Sequence, residues 1–361
     1  MSNVIALPVP NRRAPQPRIL NRLARGFASE RRGPNDVFWL KENAEFLNVT
    51  ESTGQAGDSV IAAYETFYAE IMERIAFFPQ YYRFFLSICF DFEDLKGRGS
   101  TGIELANWVA QAGLPCGELS DLQRLEARRL LARRGVRMPE LGAELEARVR
   151  DFMGRSSQFA LPNKKIAYEL THAVFYLTEY GRKSVSFEDA VLTSLEFVGL
   201  WAFIEMNADL LAEVCVAMRF AGRRPPEIWE GWIARHLRNF SFAPSGAATP
   251  AGDDYHEFLM CQWSLMCTQD VPRFEAAPPV GISPVFRRPE VSVAPLREMS
   301  ECLFRLQGNR SGRWSIMRPV LTAMMSPEAQ THLVDAEASS ARFSEFFELF
   351  ARVGFLERAA S

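Results

Sequence analysis

The sequence predicts an all-α protein: a large body of helical hairpins, arranged as an α/α toroid or as an irregular helical bundle. Three observations lead there. Apolar residues recur at three- and four-residue intervals through long segments. Ser/Thr capping signals, glycines and prolines punctuate these segments. Alternating β-branched runs are nearly absent, which argues against a Rossmann or TIM-barrel enzyme, as does the lack of a GxGxxG turn or a GxxxxGK(S/T) phosphate loop.

The chain opens on a basic arm, residues 1–33. Seven arginines stand there against Glu30 alone, a local balance of +6 in a chain whose formal charge is -3. Ile19, Leu23 and Phe27 recur every fourth residue between them, which fits a short amphipathic helix. The expectation is an arm docked by charge on the acidic body, or mobile.

Residues 34–269 read as the main helical domain. Val60 to Phe92 is an apolar and aromatic run that Pro79 splits or kinks. Thr101 with Glu104, and Ser120 with Gln123, predict capped helices at 102–112 and 121–134. The arginines around the second helix (Arg124, Arg128, Arg129, Arg133, Arg134 and Arg137) alternate with glutamates, which predicts a solvated face rather than a nucleic-acid stripe. Pro162 opens a helix to Tyr180 that Gly181 closes. Ser186 caps another reaching almost to Ala221, with a break at Asn207. Pro225 and Pro226 lead into a helix carrying Trp229, Trp232 and Ile233, and residues 243–254 form a loop before a helix at about 254–267.

The many prolines of 270–295 predict an extended segment with isolated short strands. Residues 296–361 then form a C-terminal helical subdomain on the same body. Its helices are expected at 296–307 and 328–357, with GNRSGRWS at 308–315 as a loop and Phe343, Phe346, Phe347, Phe350 and Phe355 as the anchoring face.

With 361 residues, 48% hydrophobic, the chain can bury roughly 75% of its extended surface. That excludes a disulfide-stapled miniature scaffold, and 28 Phe exclude global disorder. Six cysteines without a CxxC pair read as buried thiols in a reducing compartment. No uncharged apolar stretch is long enough for a membrane span and the N-terminus lacks the core of a secretory signal, so a cytoplasmic location is expected. The nearly balanced charge gives no whole-protein attraction to nucleic acid.

Chemistry concentrates at two of the four histidines. In KKIAYELTHAVFYLTEYG, helical phasing places Glu169, His172, Tyr176 and Glu179 along one face of an apolar helix, where carboxylates need partners or a wet cavity. In GDDYHEFLMCQW, Asp253 and His256 repeat the acid-x-x-His spacing. That spacing can hold a divalent transition metal, or let the acid orient the histidine as a general base. The expected site therefore takes Glu169, His172, Glu179, Asp253 and His256 as metal ligands. His172, His256, Tyr176 and Tyr255 are its catalytic candidates, the tyrosines donating to a partly apolar small-molecule substrate. A noncatalytic ligand-binding or protein-interaction scaffold is the alternative. His236 reads as an ordinary histidine at a helix C-terminus and His332 as one on an exposed helix.

The segments ELTHAVFYLTEYG and DDYHEF, through Glu169, His172, Tyr176, Glu179, Gly181, Tyr255 and His256, resemble an uncharacterised group of bacterial all-helical proteins. That resemblance implies that the two histidines share a site. A ferritin-like dimetal pattern would draw on Glu65 or Glu70, then Glu169 and His172, then Glu196, Glu205 or Asp209, then Asp253 and His256. The long separations, and Asp where Glu is usual, depart from it.

Overall fold

Helices begin where the chain supplies a cap. Asp36, Ser120, Asn163, Asn207 and Ser326 each accept a backbone N–H of the first helical turn, satisfying donors that the helix itself leaves unpaired. The computed structural model describes residues 16–55, 57–244, 252–279, 284–291 and 293–353. Its helices are α1 (Gln16–Arg25), α2 (Val37–Ser52), α3 (Asp58–Ala69), α4 (Ile71–Phe77), α5 (Tyr82–Lys96), α6 (Thr101–Gln111), α7 (Asp121–Ala132), α8 (Leu145–Met153) and α9 (Ser156–Phe159). They continue as α10 (Lys164–Leu177), α11 (Asp189–Ile204), α12 (Ala208–Phe220), α13 (Glu227–Arg238), α14 (Tyr255–Met266), α15 (Pro295–Leu306), α16 (Trp314–Met324), α17 (Pro327–Ser339) and α18 (Phe343–Phe350).

The protein is an all-α multi-helix bundle with, among the described residues, one minor sheet. Strands β1 (Ser241–Pro244) and β2 (Pro284–Arg287) pair antiparallel, Phe242 opposite Phe286. The apolar helices α11 and α12 run through the core, buried on almost every side. Helix α12 packs against α10, α11, α13 and α14, and α14 packs in turn against α2. These contacts place α2, α10, α12 and α14 around one interior space. Among the described residues, no helix is long and apolar enough to cross a membrane.

Several elements differ from expectation for identifiable reasons. Residues 19–31 are not laid over the surface by charge. Ile19, Leu20, Leu23, Ala24 and Phe27 enter the common core, a π-helical turn spans Gly26–Glu30, and the Arg31 side chain is buried between Glu42 and Asp253. Arg12 and Arg13 lie outside the described residues, as do residues 245–251 of the loop and Phe355.

The arginines around α7 are not a solvated face throughout. Arg129 is buried, and Arg133 pairs with fully buried Asp91 at 2.7 Å. Helix α10 stops at Leu177, three residues early, because Glu179 and Tyr180 join Gly181 in left-handed conformation. Gly181 is needed there for a second reason: a Cβ would lie 2.6 Å from the Phe220 ring. The segment 328–357 breaks at Ser340 into α17 and α18. Helix α16 was hidden by Pro319 within it.

Candidate functional site

Asp209 and Glu213 stand one turn apart on the same face of α12, whose N-terminus Asn207 fixes by accepting from Leu210 N at 3.2 Å. His256, in the first turn of α14, directs Nδ1 at Asp209 Oδ1, 2.7 Å away. Its Nε2 lies 3.8 Å from Glu213 Oε1 and 3.8 Å from Glu45 Oε1 on α2. His172 on α10 brings Nδ1 to 3.8 Å from Glu213 Oε2, with Nδ1 hydrogen-bonded to Tyr168 O at 2.6 Å. Four helices thus bring two imidazoles and three carboxylates together. Asp209, Glu213 and His256 each offer a ligand atom within 4.8 Å of the others.

Neighbouring hydroxyls hold the carboxylates in place. Thr171 donates to Glu213 Oε2 at 2.6 Å, Tyr168 to Asp209 Oδ2 at 2.7 Å, and Tyr255 to Glu45 Oε2 at 2.8 Å. Burial alone would depress the His256 pKa, but Asp209, Glu45 and Glu213 outweigh it and push it up to about 10. Asp209 is held below the usual carboxylate range: burial opposes this, but the His256 charge and hydrogen bonds from His256 and Tyr168 prevail. Glu213 moves the other way. It is raised chiefly by burial, against the pull of His172 and His256.

The cluster borders two spaces. An inner cavity of about 230 Å³ is lined by Glu45, Asn48, His172, Tyr176, Glu213 and His256, with Lys41, Arg83, Ser87 and Glu126 and several aromatic and apolar side chains completing the wall. A wider polar cleft of about 820 Å³ reaches Asp209 and Tyr168 from the other side.

Of the residues singled out by sequence, His172, Tyr176 and His256 line the inner cavity. Tyr255 is next to it, with its hydroxyl engaged by Glu45. Three acids lie elsewhere. Asp253 forms an ion pair with Arg31 at 2.8 Å and accepts from Phe286 N. Glu179 leaves the helical face with its positive φ and pairs with Lys183. Glu169 is half-buried and walls neither space. The acids beside the histidines therefore come from other helices, not from the same helix one turn earlier.

Of the carboxylates in the ferritin-like pattern, Asp209 alone reaches the cluster. Glu65 pairs with Lys96, Glu70 with Arg74, Glu205 with Lys164, and Glu196 with Ser340 and Arg342. His236 is buried against Glu257 at 2.6 Å, and His332 is half-buried rather than exposed, hydrogen-bonded to Phe203 O.

Glu45 and Glu213 were not anticipated. Both sit in apolar helices, and Glu213 falls four residues after Asp209, the same buried-carboxylate signal that singled out the α10 segment.

A family model described as a domain of unknown function, DUF6902, matches residues 1–353. The chain belongs to that family. No curated protein and no solved structure matches it. The match takes in all four helices of the cluster, so in this DUF6902 chain the site lies inside the family domain.

Proposed function

We propose that this protein is an enzyme that holds one divalent transition metal at Glu45, Glu213 and His256, with His172 as a further ligand, and uses it on a small, partly apolar molecule in the inner cavity. One observation carries the reading. His256 Nε2 is 3.8 Å from a carboxylate oxygen on each of two different helices, inside the about 4.0–4.4 Å that two atoms bound to one ion at about 2.0–2.2 Å can span. Asp209 is the partner of the other ring nitrogen. It accepts from Nδ1–H and leaves Nε2 to supply the lone pair, the usual outer-shell support of a metal-bound imidazole. His172 lines the same cavity, and its Nδ1 is engaged by Tyr168 O, which leaves Nε2 to supply a lone pair.

Mixed imidazole and carboxylate donors suit iron, manganese or zinc. A bound ion would supply Lewis acidity to a substrate oxygen. The chain's own contribution is orientation: Thr171 and Tyr255 fix the carboxylates, and Tyr176 lines the cavity.

A metal-free reading has one specific support, the Asp209–His256 hydrogen bond, which would orient His256 for proton transfer. Elemental analysis of the full chain, purified without a metal-affinity tag, separates the two. The metal reading expects about one equivalent in the wild type, lost in Glu213→Gln and His256→Ala and kept in Glu169→Gln. Folded variants that all retain the ion, or a wild type that takes up none when supplied with iron, manganese or zinc, would overturn it.

A further inference from the structure

The inner cavity is bordered by hydrogen-bond donors without partners. Asn48 and Trp263 both line it, at 6% and 2% exposure, and neither Asn48 Nδ2 nor Trp263 Nε1 finds an acceptor. A third donor lies behind the same wall. The Arg129 guanidinium sits over Tyr176 and Tyr180, 5.4 and 4.9 Å from their ring centres, and both rings line the cavity. Arg129 is 5% exposed, its Nε and Nη1 have no hydrogen-bond partner, and no carboxylate of the described residues forms an ion pair with it. A buried charge left without a counter-charge is strongly unfavourable, and a buried donor without an acceptor is unfavourable too.

Neighbouring cations are already matched. Arg83 pairs with Glu118 and Glu126, Arg133 with Asp91 and Asp94, and Arg182 with Glu51. Arg129, by contrast, has no carboxylate among the described residues within ion-pair distance, and a single guanidinium matches a monoanion rather than a phosphate dianion.

Helix geometry places these donors away from the histidine cluster. Asn48 follows Glu45 by three residues on α2, Tyr176 follows His172 by four on α10, and Trp263 follows His256 by seven on α14. At a rise of about 1.5 Å per residue, the donor end lies roughly 5–10 Å along the helices from the cluster. Phe84, Phe175 and Met260 supply apolar wall.

We infer that the inner cavity takes a small organic monocarboxylate, its apolar body against Phe84, Phe175 and Met260 and its carboxylate at the Asn48–Trp263 end, where Arg129 supplies the compensating charge. The inference rests on the proposed metal centre for what meets the far end of the ligand. The anchor itself needs no metal. The planar carboxylate accepts from amide and indole N–H groups, while an uncharged ligand of the same shape leaves Arg129 unmatched.

The test is calorimetric titration of the full chain, metal-free and metal-loaded, with three acid and amide pairs of matched shape: phenylacetate and phenylacetamide, 3-phenylpropanoate and 3-phenylpropanamide, hexanoate and hexanamide. At least one acid should bind metal-free protein at least about tenfold more tightly than its amide, and Arg129→Met should abolish that preference. Asn48→Ala should weaken acid binding without changing metal content. Acids and amides that bind alike, no acid binding in any pair, or an acid preference that survives in Arg129→Met would each overturn the inference. Metal content of the same preparations keeps the two readings apart. Acid selectivity in a protein that takes up no metal rejects the metal centre and leaves the anchor. Metal uptake without acid selectivity rejects the anchor alone.

Discussion

Replacing Arg31 by methionine should cost about 3–5 kcal/mol of folding stability. The Arg31 side chain is wholly buried and divides its guanidinium between two carboxylates that are 1% exposed: Nε to Glu42 at 2.8 Å and Nη1 to Asp253 at 2.8 Å. It also lies 4.9 Å from the centre of the Phe286 ring. Methionine keeps much of the apolar stem but leaves both acids without this partner. Glu42 retains Arg32 at 2.7 Å, so Asp253 carries most of the penalty, and the loss should match one broken buried pair rather than two. Urea denaturation of the full chain measures it. A companion variant distinguishes a buried charge from lost packing: Arg31→Met with Asp253→Asn should be more stable than Arg31→Met alone, because the stranded charge is gone. A loss below about 1 kcal/mol, typical of an exposed pair, or a double variant less stable than the single, would refute the reasoning. Asp253 stands three residues before His256, so Arg31→Met should also weaken metal retention.

Thr171→Val removes the hydroxyl that donates to Glu213 at 2.6 Å, and metal affinity should fall about 10–100-fold with the fold intact, read by competition with a chelator. Gly199→Ala would place a Cβ 2.3 Å from the Trp229 ring; with Trp229 fully buried, chemical denaturation should show a loss of about 1–3 kcal/mol or more. The His332 pKa is lowered, by burial first, from an ordinary value near 6.5. Its contribution to stability is therefore present above 6.5 and lost as pH falls through its folded value. Protection factors in α17, corrected for the intrinsic pH dependence of amide exchange, should fall below pH 6.5, and in His332→Gln that acid step should disappear.

Much of the fold was legible because helix punctuation is local. Ser120, Asn207 and the proline pair before α13 act within a few residues of where they stand. The role of residues 19–31 was not legible, because net charge does not reveal that Arg31 has two buried acids waiting for it, one of them far along the chain at Asp253. The site divides the same way. His172, His256 and Tyr176 stood out as polar groups in apolar helices and do line the cavity. Their acidic neighbours were sought one turn away on the same helix, yet Glu45, Asp209 and Glu213 arrive through packing of α2 and α12 against α10 and α14. Spacing within a helix is written in the sequence, whereas the rotation of one helix against another depends on the whole core.

The central claim is that an ion sits between His256 Nε2, Glu213 and Glu45. Anomalous diffraction from crystals of the manganese- or zinc-loaded full chain, collected on both sides of the metal's absorption edge, tests it most directly. The account predicts one strong peak about 2.0–2.2 Å from these three groups, with Asp209 still hydrogen-bonded to His256 Nδ1 outside the coordination shell. A peak in the outer cleft beside Asp254 and Glu257, or loaded crystals with no peak at the cluster, would contradict it.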